Sequence, residues 1–239
     1  MKKHIPNTIT CCNLISGCIA TLFAAQANYS MALAVIIIGA VFDFFDGFAA
    51  RLLHVSSPVG KELDSLADDI TFGFAPATIV FSMLRATLPT CSCAWIAYVP
   101  YAAFIIAAFS ALRLAKFNLD ERQATSFIGL PTPANALFWG ALSMTLHDNG
   151  VLTSSTSLFI TLLVGIVLSS WLLVAEIPMF ALKFKSYGWK GNELRFSFII
   201  ISALLLAILK WGGFSLIIVL YILTSILSNA FGTKVAKDK

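Results

Sequence analysis

Half of the chain's 12 acidic residues fall in one stretch, as Asp43, Asp46, Glu62, Asp64, Asp68 and Asp69. Four of them stand in a fixed frame: Asp43-x-x-Asp46-Gly47-x-x-Ala50-Arg51, an eight-residue spacer, then Gly60-x-x-x-Asp64-x-x-x-Asp68. At about 100° per residue, Asp43, Asp46, Gly47 and Ala50 share one arc of a helix. Gly60, Asp64 and Asp68 recur at helical spacing on a second one. Each helix therefore offers two carboxylates on one face, and four converge if the faces meet. Such a set is hard to keep charged without cations, and oxygen ligands with a phosphate partner suit Mg²⁺ or Mn²⁺. Gly47, Ala50 and Gly60 leave room for a flat base or sugar against the helix backbone. Arg51, one turn beyond Gly47, can reach a phosphate with its planar fork. A lone Asp-x-x-Asp pair near a helix end is ordinarily a solvated turn or cap. The whole frame, met at every specified position from Asp43 to Asp68, reads instead as metal, phosphate and nucleotide.

The elements that carry these residues must lie in a membrane. Of 239 residues, 59% are hydrophobic and only 12% charged, about half the charged share of a soluble domain. Carboxylates at membrane depth are costly and mark function by default. Apolar runs of about 20 residues fit the bilayer core and predict an all-α, polytopic bundle of about eight transmembrane helices in a single domain spanning 1–239. They are expected near 8–26, 30–52, 59–85, 95–117, 133–147, 155–182, 194–210 and 213–232. The start, Met1-Lys2-Lys3-His4, resembles that of a signal peptide, but no small-residue cleavage site follows, so a first transmembrane helix is expected. Gly73 and Pro76 should bend the third helix. The fifth is short and could begin inside Pro131-Thr132-Pro133.

With the N-terminus in the cytoplasm, the cytoplasmic segments hold Lys2, Lys3, Arg51, Lys61, Arg113, Lys116, Arg122, Lys183, Lys185, Lys190, Arg195, Lys234, Lys237 and Lys239. Arg85 and Lys210 alone are left outside, from 16 basic residues. This asymmetry predicts both termini in the cytoplasm and puts the acidic frame at the cytoplasmic ends of the second and third helices. The net charge of +4 is modest, and no nucleic-acid partner is expected. Cys11, Cys12 and Cys18 read as packing residues, and Cys91 and Cys93 lie in a loop with no zinc-type spacing.

The frame resembles the signature of the CDP-alcohol phosphatidyltransferase family, DxxDGxxAR-x8-GxxxDxxxD, without departure. That resemblance implies an integral membrane enzyme with its core at about 5–185. Such enzymes move a phosphatidyl or related group from a CDP-linked donor to an alcohol and release CMP. It further implies Asp43, Asp46, Asp64 and Asp68 as metal ligands and Asp68 as general base. Asp43, Asp46, Gly47, Ala50, Arg51, Gly60, Asp64 and Asn13 would form the CDP site, and a homodimer in the cell membrane is implied, its site facing the cytoplasm.

Further segments resemble the phosphatidylserine synthase branch of that family. They are Ser65 to Ala77, Ala111 to Asn118, Phe127 to Pro133, Pro6 to Thr10 with Asn13, and Ile177 to Phe180. The implied reaction converts CDP-diacylglycerol and L-serine to phosphatidylserine and CMP. Serine brings a carboxylate that needs a cation, which Arg113 or Lys116 could supply, with Asn118 holding the amino or carboxylate group. The bland reading makes Arg113 and Lys116 ordinary headgroup anchors. Asp69 departs from the branch pattern and receives no role. Glu176, placed inside the sixth helix, either stabilises the fold or borders the site. Two rivals stay open. One is the same chemistry on glycerol 3-phosphate, inositol phosphate or choline; the other is a cation transporter, which would not need Gly47, Ala50, Arg51 and Gly60.

Overall fold

The computed structural model describes residues 4–90, 93–120, 127–179, 188 and 192–230. Lys2, Lys3, Cys91, Arg122, Phe180, Lys183, Lys185, Lys190 and the basic tail Lys234, Lys237 and Lys239 lie outside the described residues. The fold is almost wholly helical. Helix α1 (His4–Ala25) turns tightly into α2 (Tyr29–Leu52), and Asn28 caps the entry by accepting from the Met31 amide at 3.3 Å. Helix α3 (Pro58–Asp68) starts on Ser57, whose extended backbone and hydroxyl cap the Gly60 amide at 3.0 Å, with Pro58 in the first turn.

The third stretch is bent, but by a register change. Asp69–Phe74 forms a π-helical turn before α4 (Ala75–Ala86). Pro76 has no amide hydrogen for the Phe72 carbonyl, so the ladder has to widen just ahead of it. Thr71 on this turn fills the space that two glycines leave. A Cβ on Gly17 would stand 2.5 Å from Thr71 Oγ1 and 2.8 Å from its Cα, and one on Gly39 would stand 2.6 Å from Thr71 Cγ2. The Thr71 hydroxyl donates to the Asn13 carbonyl at 3.0 Å. The turn is thereby pinned between α1 and α2.

The fourth stretch opens as a 3₁₀ segment, Ala94–Phe104, with Pro100 inside it, and continues as α5 (Ile105–Leu119). Then follow α6 (Thr132–Asp148), α7 (Thr156–Val174), α8 (Glu193–Leu209) and α9 (Gly213–Ala230). The expected sixth helix to 182 ends early, at Val174. Ala175 is already extended (ψ 139°), and Pro178 disfavours helix at the residue before it. Glu176 therefore lies outside the helix, in an extended strip leading to β2 (Pro178–Met179). This strand pairs antiparallel with β1 (Phe127–Ile128). At Lys210 (φ 52°) the chain reverses. The rings of Phe198 and Tyr221 then meet at 6.1 Å, which makes α8 and α9 antiparallel.

Helix ends sort into two sets. At one end Tyr29 meets His147, ring centroids 5.4 Å apart, and the Ser155 amide donates to the Thr87 carbonyl at 3.3 Å. At the other end Lys61 Nζ donates to the Asn118 carbonyl at 3.0 Å, and the Leu130 amide to the Leu172 carbonyl at 2.9 Å. The acidic frame sits at this second end, beside the start of α1. Among the described residues, five helical stretches are long and apolar enough to cross a membrane: His4–Ala25, Tyr29–Leu52, Ala94–Leu119, Thr156–Val174 and Glu193–Ser228, the last of them the α8–α9 hairpin. The core between them is built on Phe72, Ile79, Met83, Ile106 and Trp139, each at most 1% exposed. The Trp139 indole donates to Ser169 Oγ at 3.3 Å, so its one polar atom is satisfied on burial.

Candidate active site

Helices α2 and α3 bring their acidic faces together. Asp43, Asp64 and Asp68 each present a carboxylate oxygen, and these oxygens lie within 4.8 Å of one another. Asp46 stands beside this group and is 5% exposed. Its Oδ2 is buried without a hydrogen-bond partner, and the charges of Asp46 and Asp43 both act on Asp64. No lysine or arginine among the described residues forms an ion pair with any of the four. Clustered carboxylates, all-oxygen donors and an orphaned buried carboxylate oxygen together fit a hard divalent cation.

A cavity of about 250 Å³ adjoins the acids. Asp46, Gly47, Ala50, Gly60 and Asp64 line it, as do Pro6, Asn7, Thr10, Ser56, Ser57 and Lys61. Gly47 keeps its face open: a Cβ there would meet only Arg51 Nη1, at 3.5 Å. The exposed Arg51 thus brings its Nη1 close to Gly47, but Arg51 is not among the residues that line the cavity. Gly60 is a tighter position, since a Cβ would stand 3.0 Å from both Asn7 Oδ1 and Ser57 Oγ. Asn7, Ser56, Ser57 and Lys61 are not among the site residues that the sequence suggests. Lys61 and Ser57 occupy or flank variable positions of the frame, and Asn7 reaches the cavity from α1, so local spacing could not reveal them.

Asn13 is fully buried and does not line this cavity. Its Nδ2 instead donates to Asp68 Oδ1 at 3.1 Å. The contact joins α1 to the last residue of α3.

A second cavity, of about 400 Å³, opens where α5, the β1 strand and the end of α7 meet. Arg113 and Lys116 both line it. Lys116 is exposed. Arg113 is only 6% exposed, and its Nε and Nη2 have no hydrogen-bond partner among the described residues. Its guanidinium carbon lies 6.0 Å from the Phe117 ring, within electrostatic reach of Asp68. Asn118 does not line this cavity; its Nδ2 donates to Ser65 Oγ at 2.7 Å, tying α5 to α3. Asp69 points away from the acid group. Its Oδ1 lies where a Cβ on Gly73 would be, 2.6 Å off, and it has no hydrogen-bond partner.

Comparison with known proteins adds to this geometry. A family model described as CDP-alcohol phosphatidyltransferase matches residues 3–182. The chain is 34% identical over 175 residues to the CDP-diacylglycerol–serine O-phosphatidyltransferase of Bacillus subtilis (strain 168), covering 73% of this chain and 89% of that protein. It is 32% identical over 183 residues to the protein of that name from Mycobacterium leprae (strain TN), covering 73% of this chain and 57% of that one. To the Helicobacter pylori (strain ATCC 700392 / 26695) protein of the same name it is 34% identical over 134 residues, with 55% and 54% covered. The chain thus spans little more than half the length of the latter two relatives.

Proposed function

The chain belongs to the CDP-alcohol phosphatidyltransferase family, and from that premise we propose that it transfers the phosphatidyl group of CDP-diacylglycerol to the hydroxyl of L-serine, giving phosphatidylserine and CMP. The observation that carries the reading is the meeting of Asp43, Asp64 and Asp68 within 4.8 Å beside a cavity lined by Gly47, Ala50 and Gly60. The relatives named for this reaction support the choice of serine.

Asp43, Asp46, Asp64 and Asp68 would hold the cation, Mg²⁺ or Mn²⁺. When bound, it would supply positive charge against the donor's diphosphate. The cytidine side of the donor would lie in the cavity over Gly47, Ala50 and Gly60, with Arg51 and Lys61 toward its phosphates. Asp68 would take the proton of the serine hydroxyl as that oxygen attacks the lipid-side phosphorus. The bond from that phosphorus to the CMP oxygen breaks, and CMP leaves. Asn13 holds Asp68 through its amide, which fixes the direction in which the base faces. Arg113 would receive the serine carboxylate. Its buried and unpartnered nitrogens favour an anionic ligand, because a buried donor without a partner is costly. Positioning and electrostatics would supply most of the catalysis.

The placing of the basic residues supports an even number of passes with both ends and the active site facing the cytoplasm; eight passes, in the cell membrane, complete the proposal. The expectation of a homodimer comes from the family resemblance. The test is CMP release by the purified chain in detergent with CDP-diacylglycerol, Mg²⁺ or Mn²⁺, and one acceptor at a time. Serine should drive release. Release driven instead by glycerol 3-phosphate, inositol phosphate or choline would overturn the acceptor assignment.

A further inference from the structure

The second cavity holds charge of both signs. Arg113 and Lys116 line it together with Asp120 and Glu176, between walls that include Leu119 and Leu173. A simple anion site has no use for carboxylates, which would repel a phosphate or a carboxylate ligand. A zwitterion needs both, at a separation its own skeleton sets. Arg113 gives the independent sign of a ligand: the residue lines the cavity and is only 6% exposed, and its Nε and Nη2 are buried and unbonded among the described residues.

Of the two carboxylates, Asp120 is already engaged. Glu176 is exposed, and no ion pair to it occurs among the described residues. The chain on either side of it is held by Gly129. On one side, the Gly129 amide donates to the Ile177 carbonyl at 2.9 Å, and the β1–β2 pair follows. On the other side, Gly129 presses against the chain just before Glu176. It has φ +76°, and a Cβ there would stand 2.7 Å from the Leu173 carbonyl oxygen and 3.0 Å from that of Ala175. Only glycine satisfies both the left-handed backbone and that approach. The early end of α7 therefore does more than stop a helix. It turns Glu176 out of the helical path and fixes it at the rim of the cavity.

We propose that Glu176 is a specificity-determining residue that binds the α-ammonium of the acceptor across the cavity from Arg113, so that the site selects an amino acid over a hydroxy acid of the same length. This inference rests on the acceptor reading of the proposed function. Within it, Arg113 fixes the carboxylate end and Glu176 the ammonium end, which leaves the hydroxyl to reach Asp68. An acceptor lacking its ammonium loses the second anchor and leaves a carboxylate facing its own.

The test compares the full chain with Glu176→Gln and Glu176→Asp, in detergent, with L-serine and with 3-hydroxypropanoate, which is serine without its amino group. Glu176→Gln should raise the KM for serine at least about tenfold and leave the KM for CDP-diacylglycerol within about twofold. The preference for serine over 3-hydroxypropanoate should fall by a similar factor, and Glu176→Asp should recover part of both. An unchanged serine KM with an unchanged preference overturns the assignment. So does a fall in kcat alone. If the unmodified chain releases no CMP with serine, the acceptor reading itself fails, an outcome separate from any result on the Glu176 variants.

Discussion

Replacing Asn13 by alanine separates two roles that the sequence could not tell apart. A residue near a nucleotide site is first read as a nucleotide contact, yet Asn13 is fully buried and spends its Nδ2 on Asp68 at 3.1 Å. A hydrogen bond to a charged partner contributes about 1.5–3 kcal/mol. If that contribution orients the base in the transition state, its loss lowers kcat by about 10- to 150-fold, at 1.36 kcal/mol per factor of ten. The Thr71 bond goes to the Asn13 main-chain carbonyl and survives the substitution, so the π-helical turn keeps its tie to α1. The assay is CMP release at varied CDP-diacylglycerol and saturating serine, with thermal unfolding in detergent as a control. The expected outcome is the loss in kcat, with the KM for CDP-diacylglycerol within about twofold. A raised KM with kcat preserved would make Asn13 a donor contact and refute the positioning argument.

Further substitutions probe the scaffold and the cation. Gly17→Ala should lower the melting temperature sharply and Thr71→Ala should not rescue it, because the Thr71 backbone also lies 2.8 Å from the new Cβ; overpacking of this kind costs about 1–3 kcal/mol. Gly39→Ala should be rescued in part by Thr71→Ala, since the first atom it meets is the side-chain Cγ2; equal rescue of both variants would contradict the packing described. Chelation by EDTA should stop CMP release, and Asp43→Asn or Asp64→Asn should raise the Mg²⁺ or Mn²⁺ concentration for half-maximal rate about tenfold or more. An unchanged cation requirement in both would remove them from the ligand set. Asp68→Asn should abolish turnover while CDP-diacylglycerol still binds, and a near-normal rate would take the base role from Asp68.

The chemistry was legible because it is local. Two carboxylates at i, i+3 on one helix and two at i, i+4 on the next need only a short turn to meet, and Asp43, Asp64 and Asp68 do meet. Helix starts were legible where caps mark them, as at Asn28 and Ser57. Less could be read where one proline competes with a long apolar run. Pro76 announces a bend, but that the bend is a π turn placing Thr71 against Gly17 and Gly39 depends on packing from α1 and α2. Before Pro178, the run from Leu172 to Ala175 reads as continuing helix, which places Glu176 inside the sixth helix. The second cavity was invisible for a different reason. Its walls come from α5, the β1 strand and the end of α7, and no spacing rule joins residues so far apart in the chain. Asn13 and Asp68 are likewise separated by 55 positions.

The most direct measurement follows the product itself. The purified chain would be incubated with CDP-diacylglycerol, Mn²⁺ or Mg²⁺, and L-serine labelled with heavy carbon and nitrogen, and the extracted lipid analysed by mass spectrometry. The expected product is phosphatidylserine carrying the intact labelled serine, formed in step with CMP. CMP accompanied by phosphatidic acid, with no label in the lipid, would mean that water and not serine accepts the phosphatidyl group, and would contradict the central claim.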